Sequence, residues 1–288
     1  MRVLLTGASG FVGGYLVPLL VESGHGVVAL VRQPTSVLAA EGVTVVEADL
    51  ERLEEAKLPD VDAVVHLAQA NVPFPDEAET LYHVNTESTL ALLEHARRSG
   101  ARTFLYASSA SVYGFGDRPF TEDDPPSSRD FYAVTKLNGE QLVAAYGRFF
   151  STAVFRLVAP YGPGQSGRMI PALIGRVRDG RPVTLNGGGR PRMNPIYVED
   201  AARAAVAALE LDGNHVVNVA GDEVVGIDDI ARLAAQALGR EPVFEHGDAD
   251  APGDVVADTT RFHELFDLGE LIGMAEGIRR MVSVEAAA

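Results

Sequence analysis

The stretch Val3-Leu4-Leu5-Thr6-Gly7-Ala8-Ser9-Gly10-Phe11-Val12-Gly13 decides how the rest of the chain is read. A short apolar run breaks into a glycine-rich turn, and a segment of helical length and periodicity follows over 11–23. The glycines at Gly7, Gly10 and Gly13 are spaced G-x-x-G-x-x-G. A turn without side chains lets the backbone approach a pyrophosphate. The helix that opens there offers free N–H groups and a partial positive charge to the phosphates. A glycine trio alone says little. Placed after the first strand of an alternating chain, it is a dinucleotide-binding signature, with Ser9, Phe11 and Val12 completing the cradle.

The alternation continues outward from this turn. Apolar runs at 27–31, 43–46, 63–67 and 103–107 read as buried parallel strands, and 81–99 and 131–149 as helices. This predicts an α/β fold, a Rossmann-type doubly wound parallel sheet with a smaller C-terminal substrate-binding cap. Runs at 154–158 and 216–219 extend the sheet, and further helices are expected over 198–209, 228–238 and 275–282. Tyr161-Gly162-Pro163-Gly164 and Asn186-Gly187-Gly188-Gly189 punctuate loops. A length of 288 residues suits about two domains. The expected division is a dinucleotide-binding domain over 1–158, with 190–219 returning to it, and a cap over 159–189 and 220–288.

The second strand ends Leu30-Val31-Arg32-Gln33. NAD-preferring sites carry an acid there for the ribose hydroxyls. A guanidinium suits a 2′-phosphate or stacks on adenine, so the expected cofactor is NADP or NAD, with Arg32 tilting towards NADP. Asp49 and Leu50, after the third strand, flank the adenine in one reading; in the other Asp49 is a turn residue.

Composition narrows the function. Hydrophobic residues make up 47% and charged residues 22%, which supports a sizeable core. Lys+Arg total 24 against 40 Asp+Glu, a net charge of −16 that argues against non-specific binding to nucleic acid or anionic membrane. With no cysteine, disulfides, thiolate zinc sites and cysteine nucleophiles are excluded. No signal peptide and no run of about 20 apolar residues is seen, so a cytoplasmic location is expected. Charge is uneven: 168–192 holds six arginines and one acid, whereas 241–270 holds nine acids and one base. The arginine stretch is either a solvated surface or the face of an anionic small-molecule substrate. There is no G-x-S-x-G elbow, Walker lysine or H-E-x-x-H pair. His66, inside an apolar strand, reads as a core residue.

Tyr132 and Lys136 stand four apart in a helical stretch, so the ammonium shares a face with the phenol. A nearby cation favours phenolate and makes the tyrosine a candidate general base or acid. Ser108-Ser109-Ala110-Ser111-Val112-Tyr113-Gly114 follows a strand expected to end at the same sheet edge. A serine hydroxyl there can polarise a carbonyl or hold a substrate hydroxyl.

Together the glycine turn, Asp62-Ala63-Val64-Val65-His66-Leu67-Ala68, the Ser-Ser-Ala-Ser-Val-Tyr-Gly run, Tyr132-Ala133-Val134-Thr135-Lys136 and Tyr161-Gly162-Pro163-Gly164 resemble the extended short-chain dehydrogenase/reductases, in the NAD(P)-dependent sugar epimerase/dehydratase branch. Glu276-Gly277-Ile278-Arg279-Arg280 is similar to that family's last helix. The resemblance implies Ser109 as the catalytic hydroxyl, Tyr132 as acid/base, and Lys136 on the nicotinamide ribose. It places Leu67 and Ala68 on the cofactor and Ser111 on the substrate. Asn85 matches a residue that supports the active-site strand. It also implies a homodimer through 81–99 and 131–149.

The same resemblance sorts the reactions. Sugar 4,6-dehydratases carry Asp and Glu where this chain has Ala110 and Ser111, decarboxylating relatives a glutamate there, and double epimerase-reductases a cysteine. What remains is reversible oxidation of an alcohol: a nucleotide-sugar 4-epimerase first, an NADPH-dependent ketoreductase second, and a non-catalytic cofactor-binding sensor third. Three phosphate-binding positions depart from the family: Ala159 replaces an asparagine, Met193 an arginine (with Arg192 adjacent), and Ala251 an arginine. Arg190 and Arg192 are the candidates to compensate on a diphosphate; otherwise the substrate is not a standard nucleotide sugar.

Overall fold

In the computed structural model, which describes residues 1–33, 40–128, 130–247 and 253–287, the glycine turn joins β1 (Arg2–Thr6) to α1 (Phe11–Glu22). Then come β2 (Gly26–Val31), β3 (Val43–Glu47), β4 (Ala63–His66), α2 (Ala78–Tyr82) and α3 (Ser88–Ser99). After these follow β5 (Thr103–Ser109), α4 (Phe131–Tyr146), β6 (Ser151–Leu157), α5 (Met169–Arg178) and β7 (Val183–Leu185). The chain closes with α6 (Val198–Ala207), β8 (Asn214–Val219), α7 (Ile227–Leu238), β9 (Phe244–His246), α8 (Thr260–Leu265) and α9 (Met274–Ala287).

Seven strands form one sheet in the order β3-β2-β1-β4-β5-β6-β8. β1 pairs in parallel with β2 and β4, Thr6 standing opposite both Leu30 and His66. Strand order reverses at β1, so the crevice for a ligand lies beyond the carboxyl ends of β1 and β4. The central strands are almost wholly buried and mostly apolar because both faces are covered, as in β2 and β4. Gly7 has φ +74°, and a Cβ there would lie 2.8 Å from Ala68 N. A Cβ on Gly13 would lie 2.0 Å from Gly7 O, so that glycine lets α1 pack onto the turn.

Two compact units result. One comprises Met1–Val112, Pro126–Arg156 and Ala202–Val217; the other comprises Tyr113–Pro125, Leu157–Ala201 and Asn218–Ala288. Residues 190–201 therefore belong to the second unit and 202–217 to the first. The first is built on the sheet, with Leu4, Val64, Leu93, Phe104 and Val143 in its core. The second packs α5, α7 and α9 around Ile170, Ile174, Ile230, Ala234 and Ile278.

Local differences from the expectations have physical causes. The helix expected over 81–99 is interrupted by a π-helical turn at His83–Glu87. There Asn85 is drawn inward: its side chain bonds Ala70 N at 2.8 Å, Ala70 O at 3.0 Å and Thr135 Oγ1 at 3.0 Å. α5 was not expected, although Ile170, Leu173, Ile174 and Val177 carry the i, i+3, i+4, i+7 period and are buried. The parallel pair β7 and β9, with Val183 opposite Phe244, is too short to stand out from loop sequence. The expected departure at Ala251 lies outside the described residues. Among the described residues no helix is long and apolar enough to cross a membrane.

Candidate active site

The glycine turn has the tight geometry its spacing predicts. Gly10 caps α1 without a side-chain bond, and its own N–H is spent on Gly7 O at 2.9 Å. Ser9 and Gly10 are exposed, while Phe11 and Val12 are half-buried and Gly13 is buried. The first-turn amides of α1 thus face outward from a side-chain-free surface, which fits a pyrophosphate. Ala68 N donates to Thr6 Oγ1 at 3.1 Å and Leu67 N to Thr6 O at 3.3 Å, so the end of β4 is tied to the same turn. Arg32 and Gln33 follow β2 at an exposed bend. Asp49 Oδ1 accepts from Glu51 N at 3.1 Å and caps a 3-10 turn that begins at Leu50.

Beneath this edge lies a buried polar layer. His66 bridges Thr6 Oγ1 at 2.7 Å and Thr89 Oγ1 at 3.1 Å. Burial, with the Lys136 charge second, pushes the imidazole down to about 3. It is a neutral core residue, as expected from its strand. Tyr106 donates to Lys136 O at 3.4 Å, which docks α4 on β5.

α4 begins where Asp130 Oδ1 accepts from Ala133 N at 3.2 Å, an N-cap that fixes the helix start one residue before Tyr132. Tyr132 is half-buried and donates from its phenol to Gln69 Oε1 at 2.6 Å. Lys136, one turn on, is 1% exposed, its Nζ 4.3 Å from the Tyr106 ring centroid. Burial pulls its ammonium down to about 7, with Glu140 acting in the opposite direction. Burial first, then Tyr132 and Glu140, push the Tyr106 phenol well up, so it stays protonated.

Glu140 sits one further turn along the same helix. It accepts from Ser108 Oγ at 2.5 Å and from Arg156 Nη2 at 2.7 Å. Ser108 is therefore engaged by α4, whereas Ser109, the last residue of β5, has an Oγ that accepts from Ser111 N at 3.2 Å. Ser111 Oγ is buried and has no hydrogen-bond partner among the described residues.

Ser109 ends β5, Ser111 lies in the 3-10 turn that follows it, and Tyr132 and Lys136 lie on α4; all four belong to the first unit, as do the glycine turn, Leu67 and Ala68 at the ends of β1 and β4. Arg190 and Arg192 belong to the second unit. Arg190 Nη2 lies 3.8 Å from Asp254 and Arg192 Nη2 lies 3.5 Å from Asp229, so both guanidinia already face carboxylates. Arg168, Arg176 and Arg181 line an open groove of about 490 Å³ with Gln165 and Ser166. Among the described residues no group of three His, Asp or Glu is placed to hold a metal ion.

Sequence reasoning missed Gln69, Glu140 and Arg156. For Glu140 the signal was present, since positions 132, 136 and 140 repeat every four residues along one helix. Arg156, a charge inside an apolar strand, was its natural partner. For Gln69 no local pattern existed.

Comparison with known proteins gives the family and the fold. A family described as "NAD dependent epimerase/dehydratase family" matches residues 3–220. The chain is 30% identical to a dTDP-4-dehydro-6-deoxy-D-allose reductase of Streptomyces bikiniensis, over 94% of this chain and 90% of the relative. It is similar to the structure of MoeE5 in complex with UDP-glucuronic acid and NAD, at 28% identity and a TM-score of 0.87, covering 100% of both chains. It is also similar to a UDP-glucuronic acid 4-epimerase from Bacillus cereus in complex with UDP-glucuronic acid and NAD, at 25% identity and a TM-score of 0.87, covering 100% of both.

Proposed function

Because the chain belongs to the NAD dependent epimerase/dehydratase family, we propose that it is a nucleotide-sugar 4-epimerase, inverting an alcohol carbon through a transient ketone. A bound nicotinamide dinucleotide supplies the hydride acceptor and donor. The chain supplies the proton chemistry. Tyr132 as phenolate takes the hydroxyl proton and later returns it. Lys136 beside it favours the ionised phenol while it is itself charged. Ser109 donates to the oxygen on which charge develops, a contribution of about 3 kcal/mol for a preorganised donor. The orphaned hydroxyl of Ser111 supports a substrate contact there.

The observation that carries this reading is the intact Ser109, Tyr132 and Lys136 set beside Ala110 and Ser111. Proton transfer at an alcohol is provided for, while the two acids that dehydration needs are absent. The test is to incubate the protein with NAD and UDP-glucuronic acid or UDP-glucose. An epimer at C4 with no net change in reduced cofactor supports the reading. Net consumption of NADPH by a 4-keto sugar nucleotide, with no epimer, supports the second reading, a ketoreductase. That alternative is favoured by the Streptomyces reductase relative and by the carboxylates that already occupy Arg190 and Arg192.

Arg32 supports a tilt towards NADP, although the solved relatives hold NAD. A homodimer through α3 and α4 is supported by Leu90, 42% exposed on α3, and by Phe149, 51% exposed just past α4. Sedimentation at the mass of one chain would refute it.

A further inference from the structure

The phenol of Tyr132 is bonded to Gln69 Oε1 at 2.6 Å, across 63 positions of sequence. Gln69 lies three residues beyond His66, at an exposed position past the end of β4. We propose that Gln69 is a positioning residue for the acid/base, its amide oxygen holding the protonated phenol and its amide nitrogen, turned over, donating to the phenolate. This rests on the acid/base reading of Tyr132 given above.

A carboxamide carries an acceptor and a two-proton donor on one carbon. Rotating its last bond at an exposed site exchanges them without changing the charge of the site. A hydrogen bond to an ionised oxygen is about twice as strong as one to a neutral oxygen. On balance Gln69 therefore favours the phenolate, the form that must take the substrate proton.

Other charged and titratable groups around α4 have partners of their own; at its far end Tyr146 donates to Glu94 of α3, which also pairs with Arg97. Lys136 and Glu140 lie on α4 itself, with Asp130 at its cap. β5 contributes Tyr106, coupled to Tyr132, and β4 contributes His66, which feels Lys136 and stays neutral. Arg156 on β6 is held by Glu140. On the π-helical turn, His83 and Glu87 bond each other at the surface. None of these groups takes the place of Gln69, whose amide oxygen accepts directly from the phenol.

The test compares Gln69→Leu, which removes both functions, and Gln69→Glu, which keeps only the acceptor and adds a negative charge. Two quantities are read: the pH dependence of kcat and KM for the turned-over sugar nucleotide, and the ultraviolet titration of phenolate in the full chain after subtraction of Tyr132→Phe. In both variants the titration is expected to move to higher pH, by about one pH unit. At neutral pH kcat falls about tenfold while KM stays within about twofold. Thermal melting unchanged from wild type accompanies these shifts, because Gln69 is exposed. If both variants titrate and turn over like wild type, the proposal is overturned. Should Tyr132→Phe itself turn over normally, the acid/base reading fails instead, and the titration still decides whether Gln69 governs the phenol.

Discussion

Arg156 lays its guanidinium along the carboxylate of Glu140, Nη2 2.7 Å from Oε2 and Nε 3.1 Å from Oε1, with side chains 6% and 7% exposed. This pair fastens β6 to α4 and, through Ser108, to β5. It holds the strand end that presents Ser109 against the helix that presents Tyr132.

Breaking such a pair from one side leaves a buried charge without its partner. Arg156→Met is expected to destabilise the first unit by about 3–5 kcal/mol. Denaturant unfolding checks this, and a loss under about 1 kcal/mol would mean that water reaches the carboxylate. Glu140→Gln, which keeps the shape, is expected to fall in the same direction, since the buried Arg156 then loses the opposing charge of Glu140.

Lys136 gives the fold a pH dependence. Its ordinary value of 10.5 is lowered to about 7 by burial. Between those limits the unfolded chain binds a proton that the folded chain does not, so stability rises as pH goes from about 7 to about 10. Lys136→Met is expected to stabilise the protein at pH 7, on the order of 2–4 kcal/mol, with the gain shrinking towards pH 10. Turnover is expected to fall by at least about 100-fold in the same variant. Melting curves across this range check the slope; a variant no more stable than wild type at pH 7 would mean that the ammonium is well solvated or paired.

Arg32 stands where an acid would contact the ribose hydroxyls. Arg32→Asp is expected to weaken NADP and favour NAD, changing their affinity ratio by about tenfold or more. Cofactor titration by fluorescence reads the ratio directly, and an unchanged ratio would show that Arg32 does not contact the 2′-phosphate.

The sequence made the fold legible wherever local chemistry is forced. Gly7 takes a positive φ, Gly13 meets Gly7 O, and doubly covered strands are apolar, so β1, α1, β2 and β4 could be placed to within a residue at either end. The i, i+4 placement of Tyr132 and Lys136 was equally local. The readings that fell short depend on distant partners. The π-helical turn exists because Asn85 answers Ala70 and Thr135, far away in sequence. The Gln69 contact spans a whole crossover of the sheet. The period of α5 was legible, but its arginines drew the reading towards surface and loop.

The central claim is that the phenol of Tyr132 moves the substrate proton, and Tyr132→Phe tests it most directly. Binding of NAD should remain within about threefold of wild type, while interconversion of the C4 epimers should fall by about 100-fold or more. Interconversion at the wild-type rate, with cofactor bound, would contradict the account.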